Sequence, residues 1–358
     1  MTTPEAIDSP CRVLVVVPTL NEELAIGAVL GQLLCDLPPG LACRLVVCDG
    51  GSTDRTAEIV ARHAAEDDRI VLLSNPKRLQ SAAVNLATRR FGDAFDVLVR
   101  CDAHADYPPG YIADLVRSMR RVDADSVVVP MDSIGDNCVR SAVAWVSDTP
   151  LGSGGSAHRG GARSGFVDHG HHAAFRMSTF LRAGGYDETF THNEDAEFDC
   201  RQRSIGARIY LDSDIRIGYY PRDRIAALAR QYTNYGKGRS RTVRRHPQSL
   251  RARQLAVPVH VVVCALCLVA GGWLPWLWAW PGAYLAALAA GSLSIAFRRK
   301  SACGLLAGPV AAVMHFAWAW GFLLGMLSLR ERRWDVSSAM PIVPDGLQEA
   351  STMRGSQP

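Results

Sequence analysis

Charge is missing from two long stretches of this 358-residue chain. Positions 254–297 hold no Asp, Glu, Lys or Arg, and neither do positions 301–329; only Arg298, Arg299 and Lys300 stand between them. Uncharged runs of 44 and 29 residues exclude an ordinary soluble single domain, and each is long enough for a membrane-crossing helix. A disulfide framework is missing too. The ten cysteines are scattered, several within apolar strand-like runs. They read as small buried residues in a reducing compartment. Cys264 and Cys267 form a C-x-x-C inside an uncharged stretch, where small residues of a membrane helix are expected rather than a redox pair. The N-terminus shows no basic segment followed by an apolar one. No cleavable signal peptide is expected, and the first 220 residues are expected in the cytoplasm. Hydrophobic residues at 48% and charged residues at 21% exclude a disordered or collagen-like chain.

What charge there is lies unevenly. The net charge is +4, yet positions 222–253 carry ten Lys/Arg against one acid, Asp223. A basic cluster beside an apolar stretch stays on the cytoplasmic side and attracts anionic lipid headgroups. No recognition motif accompanies it, so no nucleic-acid partner is expected. Within 254–297, Trp273, Pro275, Trp276, Trp278, Trp280 and Pro281 cluster near the middle. Trp favours the membrane interface and Pro interrupts helices, so two spans are expected, about 255–273 and 279–297, joined by a short outer turn. A third stretch, 302–328, is long enough to cross. Crossing would put Arg330-Glu331-Arg332-Arg333 outside, against the positive-inside tendency. Three spans are the reading adopted here, with a re-entrant third stretch as the alternative.

From 12 to 132 the pattern is regular. Short β-branched runs (Val13–Val17, Leu45–Val47, Ile70–Leu73, Val97–Val99, Ser126–Val129) alternate with helical spacing over about 21–36, 53–65, 79–91 and 109–121. This predicts βαβ units and a mostly parallel sheet, with ligands at the carboxyl ends of the strands. Three strand ends carry polar loops: Pro18-Thr19-Leu20-Asn21-Glu22-Glu23, Asp49-Gly50-Gly51-Ser52-Thr53-Asp54 and Asp102-Ala103-His104-Ala105-Asp106. Taken singly, Asp, Ser and Thr here are ordinary helix caps; three on one rim suggest a site. Residues 151–165 are rich in Gly and Ser and read as a mobile loop beside it. Val167-Asp168-His169-Gly170-His171-His172 follows. Its three histidines are too closely spaced for a tetrahedral zinc site; acceptor binding or loop packing is preferred. Glu194-Asp195-Ala196-Glu197-Phe198-Asp199 then opens a helix ending near Gly206, with more acid than dipole complementation requires.

These residues, in this order, resemble family 2 glycosyltransferases of the GT-A fold over about 12–245. The Ser-Gly-Phe-Val-Asp-His-Gly-His-His segment and the trailing apolar stretches are most similar to the succinoglycan-biosynthesis glucosyltransferases of bacterial exopolysaccharide pathways. The resemblance implies a Rossmann-like nucleotide-sugar-binding domain over 1–221. A basic interfacial region at 222–253, a membrane domain of two to three transmembrane helices at 254–330 and a tail at 331–358 would follow. It implies Pro18, Thr19, Glu22 and Asp49 around the nucleoside, and Asp102 with His104 on a divalent metal, Mn2+ or Mg2+. It also implies Asp195 as the base of an inverting transfer, with Glu194 orienting or binding the acceptor. An imidazole ligand favours Mn2+, and Asp106 is an alternative to His104. The family's Gln-x-x-Arg-Trp is missing. Arg239 and Lys237 stand in that region as diphosphate ligands and Tyr235 borders the acceptor, while His169, Gly170 and His171 are further acceptor candidates. A single transfer is therefore expected rather than polymer extrusion: a hexose, glucose by preference, from a UDP-sugar to a polyprenyl-diphosphate-linked saccharide at the bacterial inner membrane. A polyprenyl-monophosphate transferase and a non-catalytic assembly subunit are the alternatives.

Overall fold

The computed structural model describes residues 9–153, 163–328 and 334. The β-branched runs form strands slightly longer than their apolar centres. β1 (Cys11–Thr19) is followed by α1 (Ile26–Leu34), β2 (Leu41–Asp49), α2 (Thr56–Glu66), β3 (Ile70–Ser74), α3 (Gln80–Phe91) and β4 (Val97–Arg100). α1 starts five residues later than its spacing predicts. Asn21 takes a left-handed φ of 57°, and the polar groups expected to cap helices instead staple two loops together. Ser52 Oγ accepts from Asn21 N (2.9 Å), Asn21 Oδ1 from Thr53 N (2.8 Å), and Thr56 Oγ1 from Glu22 N (2.8 Å).

Beyond β4 come β5 (Ala105–Asp106), α4 (Tyr111–Arg121), β6 (Ser126–Val128), β7 (Met131–Ser133), α5 (Cys138–Ser147), α6 (Pro150–Ser153), β8 (Gly165–Phe166), β9 (His172–Arg176) and α7 (Met177–Arg182). The main sheet has the order β3-β2-β1-β4-β9-β6, completed by β10 (Ile209–Leu211) and β8. β1, β2, β3 and β4 run parallel; β9 is inserted antiparallel to both β4 and β6. Strand order reverses between β1 and β4, so their carboxyl ends flank the crevice where ligands bind in such sheets. Pro18 sits beyond the β1–β4 pairing, which stops at Val16, so its missing N–H costs no ladder bond. A small second sheet pairs β5, β11 (Ile217–Tyr219) and β7. Apolar clusters fill both faces of the main sheet: Val13, Val15 and Val17 with Leu30 and Leu115 on one, Leu14 and Val16 with Phe175, Tyr186 and Phe198 on the other.

α8 (Glu194–Ser204) and α9 (Ile225–Arg245) lead to three long apolar helices, α10 (Ala252–Ala270), α11 (Ala279–Arg299) and α12 (Ala307–Ser328). All three are long and apolar enough to cross a membrane. α10 and α11 form a hairpin whose turn exposes Trp273, Trp276, Trp278 and Trp280. A third core joins Ala142, Val143 and Val146 of α5 and Leu228 of α9 to Leu288 and Ile295 of α11 and Val310, Ala311 and Met314 of α12. At its edge Cys138 and Cys303 form a disulfide, Cα to Cα 5.0 Å. This corrects the expectation of unpaired thiols throughout. The two cysteines lie 165 residues apart, and only the packing of α5 on the α11–α12 corner brings them together. Cys264 and Cys267 are free and buried, in line with a packing role. Part of the Gly/Ser-rich loop, 154–162, lies outside the described residues.

Candidate active site

Asp102 leaves the end of β4, where its backbone N–H donates to Tyr107 Oη (2.7 Å). Its side chain is half-buried, with Oδ1 enclosed. Oδ2 lies 3.5 Å from His171 Nε2, while Oδ1 is 3.7 Å from Arg100 and has no hydrogen-bond partner. Burial works against ionisation, but the charges of His171, Arg100 and His104 outweigh it and hold Asp102 below the ordinary carboxylate range. His104 donates from Nδ1 to Glu22 Oε1 (2.9 Å), and that bond raises its pKa despite burial.

Arg100 is the hinge of the site. It is 7% exposed, reaches Glu194 Oε1 at 3.4 Å on its other side, and donates to Gln80 Oε1 (2.8 Å). Glu194 is buried beside it. Burial, and then the neighbouring Asp195, push its carboxyl up, with Arg100 opposing. Asp195 is half-buried and Ala196 N–H donates to its Oδ1 (2.7 Å). The two acids of the pair therefore stand in different surroundings, as adjacent residues at a helix start must.

The start of α8 is fixed by α9. Asn193 caps it at a left-handed φ of 67° and donates to Thr242 Oγ1 (2.8 Å). Gly238 lies so close to His192 O and Asn193 Cβ that any side chain there would collide. A buried polar chain runs down α8: Ser126 Oγ donates to Gln202 Oε1 (2.6 Å), Gln202 Nε2 to Asp199 Oδ1 (2.7 Å), and His169 Nδ1 to Asp199 Oδ2 (2.5 Å). Burial works against the charged imidazole, but Asp199 outweighs it and raises the pKa of His169.

A cavity of about 1410 Å3 collects these groups. Arg100, Asp102, His104, His169, Gly170, His171, Glu194, Asp195, Tyr235 and Arg239, all singled out by sequence except Arg100, line it. So do Arg203, Arg222, Arg230, Arg251 and Arg253, together with Val257 of α10 and Met314 and Trp318 of α12. Among the described residues no group of three or more His, Cys, Asp or Glu is gathered as a metal cage.

The Glycosyl transferase family 2 model matches residues 14–182. The chain is 41% identical over 320 residues to the succinoglycan biosynthesis protein ExoA of Rhizobium meliloti (strain 1021), covering 89% of this chain and 96% of that protein. It belongs to glycosyltransferase family 2. It is also 24% identical over 245 residues to a dolichyl N-acetyl-alpha-D-glucosaminyl phosphate 3-beta-D-2,3-diacetamido-2,3-dideoxy-beta-D-glucuronosyltransferase of Methanococcus voltae, covering 64% of this chain and 74% of that one. Among solved structures, the mannosyltransferase PcManGT from Pyrobaculum calidifontis in complex with GDP-Man and Mn2+ aligns with a TM-score of 0.58 at 19% identity, over 90% of this chain and 89% of that one. The fold is GT-A, as its sequence resemblance implied.

Four expected nucleoside residues stand apart from the cavity lining. Asp49 turns back on its own loop: Gly51 N and Ser52 N donate to Oδ2 (3.0 and 3.1 Å) and Ser52 Oγ to Oδ1 (2.5 Å). Gly51 makes that turn possible with a φ of 79°. Thr19 spends its hydroxyl on Val17 O (3.1 Å). Pro18 and Glu22 sit at the same rim, Glu22 acting through His104. Gly170 packs so tightly on Val128 that a Cβ would overlap it, a steric reason for glycine there. Arg239 reaches the start of α10, donating to Gln254 Oε1 (2.9 Å) and bonded to Ser249 O. Sequence reading missed Arg100, whose only signal was an arginine at the strand end just ahead of Cys101-Asp102; it singled out Asp199 among the acids of α8 without giving it His169 as a partner.

Proposed function

We propose that this family 2 enzyme transfers one hexose, glucose by preference, from a UDP-sugar to a saccharide carried on polyprenyl diphosphate at the cytoplasmic face of the inner membrane. The observation that carries this reading is the cavity. It is lined by Asp102 and Asp195, by Val257, Met314 and Trp318 of the apolar helices, and by Arg203, Arg239, Arg251 and Arg253. A water-soluble acceptor needs no apolar wall; a lipid phosphate matches both the cations and the apolar wall.

The chemistry follows from the residues. Asp195 takes the proton from the acceptor hydroxyl. The oxygen attacks the anomeric carbon in line, the bond to the donor phosphate breaks with inversion, and the nucleoside diphosphate leaves. Glu194, anchored on Arg100, braces the helix start that presents Asp195. Arg222 lines the cavity beside His104 and acts on it electrostatically, which suits it to the donor diphosphate. Arg239, near His169 and the start of α10, suits the acceptor's phosphate instead. The orphaned Oδ1 of Asp102 fits a divalent cation, with His104 as the second expected ligand; when bound, the cation neutralises charge on the leaving diphosphate.

The test is transfer of label from UDP-glucose, UDP-galactose and GDP-mannose into organic-extractable lipid by membranes supplied with extracted lipid-linked acceptor. Asp195→Asn is expected to lower kcat by about 10² to 10⁴ with the donor KM unchanged. An Asp195→Asn enzyme with wild-type kcat would remove Asp195 as base. Mass spectrometry of the product counts phosphates, and a single phosphate would favour the polyprenyl-monophosphate alternative.

A further inference from the structure

α12 has the length of a span, 22 residues or about 33 Å at ~1.5 Å per residue, against a hydrocarbon core of about 30 Å. A helix that crossed would carry its two ends to opposite sides. Both ends of α12 instead touch the same GT-A domain. Just before it, Cys303 is joined to Cys138 of α5. At its first turns Val310, Ala311 and Met314 pack on Ala142, Val143 and Val146. Midway, His315 Nε2 donates to Leu151 O (2.7 Å). Further along, a Cβ on Gly321 would overlap Thr233 O, one on Gly236 would overlap Trp318 O, and one on Gly325 would overlap Ser240 Oγ. Gly321 against Thr233 and Gly325 against Ser240 ascend together, with Gly236 set between Trp318 and Phe322, so α12 runs parallel to α9.

The end of α9 is embedded in the catalytic domain. Arg241 donates to Thr189 O (2.7 Å), Arg245 pairs with Asp187, and His246 pairs with Glu197 (3.1 Å). Beyond α12, Trp334 lies with the Arg201 guanidinium 4.8 Å over its ring, and Arg201 belongs to α8. Along the side turned away from the domain, Leu305 and Leu306, which precede the helix, and Phe316, Trp320 and Leu327 are exposed. The apolar surface continues onto Leu293 and Phe297 of α11.

We infer that α12 does not cross the membrane but lies in its inner leaflet beneath the catalytic domain, its outer face against acyl chains. This rests on the cytoplasmic placement proposed above. The membrane domain then has two spans, α10 and α11. The chain then leaves α12 on the cytoplasmic side, which removes the conflict with the positive-inside tendency. It also puts Met314 and Trp318, the cavity's apolar wall, at the level of the leaflet from which a lipid-linked acceptor arrives.

Full-length chains carrying GFP or alkaline phosphatase at the C-terminus test this, with an N-terminal GFP fusion and a phosphatase sandwich fusion at Gly272 as references. The expected result is bright GFP at both termini, a silent C-terminal phosphatase and an active one at Gly272. A bright N-terminal GFP with an active C-terminal phosphatase would overturn the inference. A dark N-terminal GFP with an active C-terminal phosphatase would sink the cytoplasmic placement as well. In a second experiment, p-benzoyl-phenylalanine replaces Leu305, Trp320 or Leu327 one at a time in the full chain. Irradiation of membranes is expected to give phospholipid adducts from all three; adducts from none would overturn the contact with the leaflet.

Discussion

Arg100 bridges two acids to which the proposed reaction gives different roles, and this makes it the residue whose loss tells most. A buried arginine shared by Asp102 and Glu194 is not a source of net stability, but removing it strands both carboxylates. Arg100→Met is expected to destabilise the protein by about 3–5 kcal/mol, read as a fall in Tm. Adding Glu194→Leu is expected to restore part of that loss, because one stranded charge goes with it. A double variant no more stable than the single one would mean that Arg100 serves Asp102 alone. Asp102, Glu194, Asp195, His169 and His171 were legible because strand ends and helix starts place polar groups on a rim. Asp49 and Thr19 were legible only as polar loop residues: a side chain that satisfies its own turn reads the same as one awaiting a ligand. Arg100 and Asp199 carry buried charge, and a buried charge declares itself only when its partner is known.

At the scale of elements, the contact between α8 and the end of α9 decides where Asp195 points. Glu197 is 1% exposed and bonds Arg201 (2.8 Å) and His246 (3.1 Å). Burial alone would raise its carboxyl; the bonds from His246 and Arg201 win and lower it to about 2. A carboxyl depressed in the folded state stabilises above its unfolded pKa of about 4.5 and loses that contribution as pH falls through the folded value. A gap of this size corresponds to about 3 kcal/mol. Glu197→Gln should therefore lower Tm clearly at pH 7, with the difference from wild type closing between about pH 4.5 and 2. A difference that stays constant over that range would show that the ionised form is not what matters. The α9–α12 contact is set by glycine instead. Gly321→Val is expected to cost about 1–3 kcal/mol through overpacking, whereas Gly282→Ala, with nothing within 4 Å of its added carbon, is expected to be neutral or slightly stabilising. The strand–helix alternation that builds β1 to β4 was plain in the sequence. The antiparallel insertion of β9 was not, because it follows a loop and pairs with strands already placed.

For the whole molecule, the proposed reaction has to bring a soluble nucleotide to a lipid. Composition showed where apolar helices lie but not what they touch: α10, α11 and α12 read alike as uncharged runs, and only packing separates the hairpin from the helix that stays against the domain. The same packing gives the cavity an apolar wall beside its charged groups. If that wall receives the acceptor's isoprenoid chain, it matters only for acceptors that possess one. Trp318 borders the cavity and is half-buried, stacked at 5.2 Å on Phe322. Trp318→Ala removes surface whose burial is worth roughly 1.5–3 kcal/mol, and so should raise the KM for a long-chain lipid-linked acceptor by about 10- to 100-fold. The KM for the same saccharide on a short, water-soluble alkyl diphosphate should stay within about twofold, and so should the donor KM. Equal losses on both acceptors would mean that Trp318 shapes the saccharide site, and a loss confined to the donor would place the nucleotide at this wall. A selective loss on the long chain would tie the cavity's apolar wall to the lipid itself.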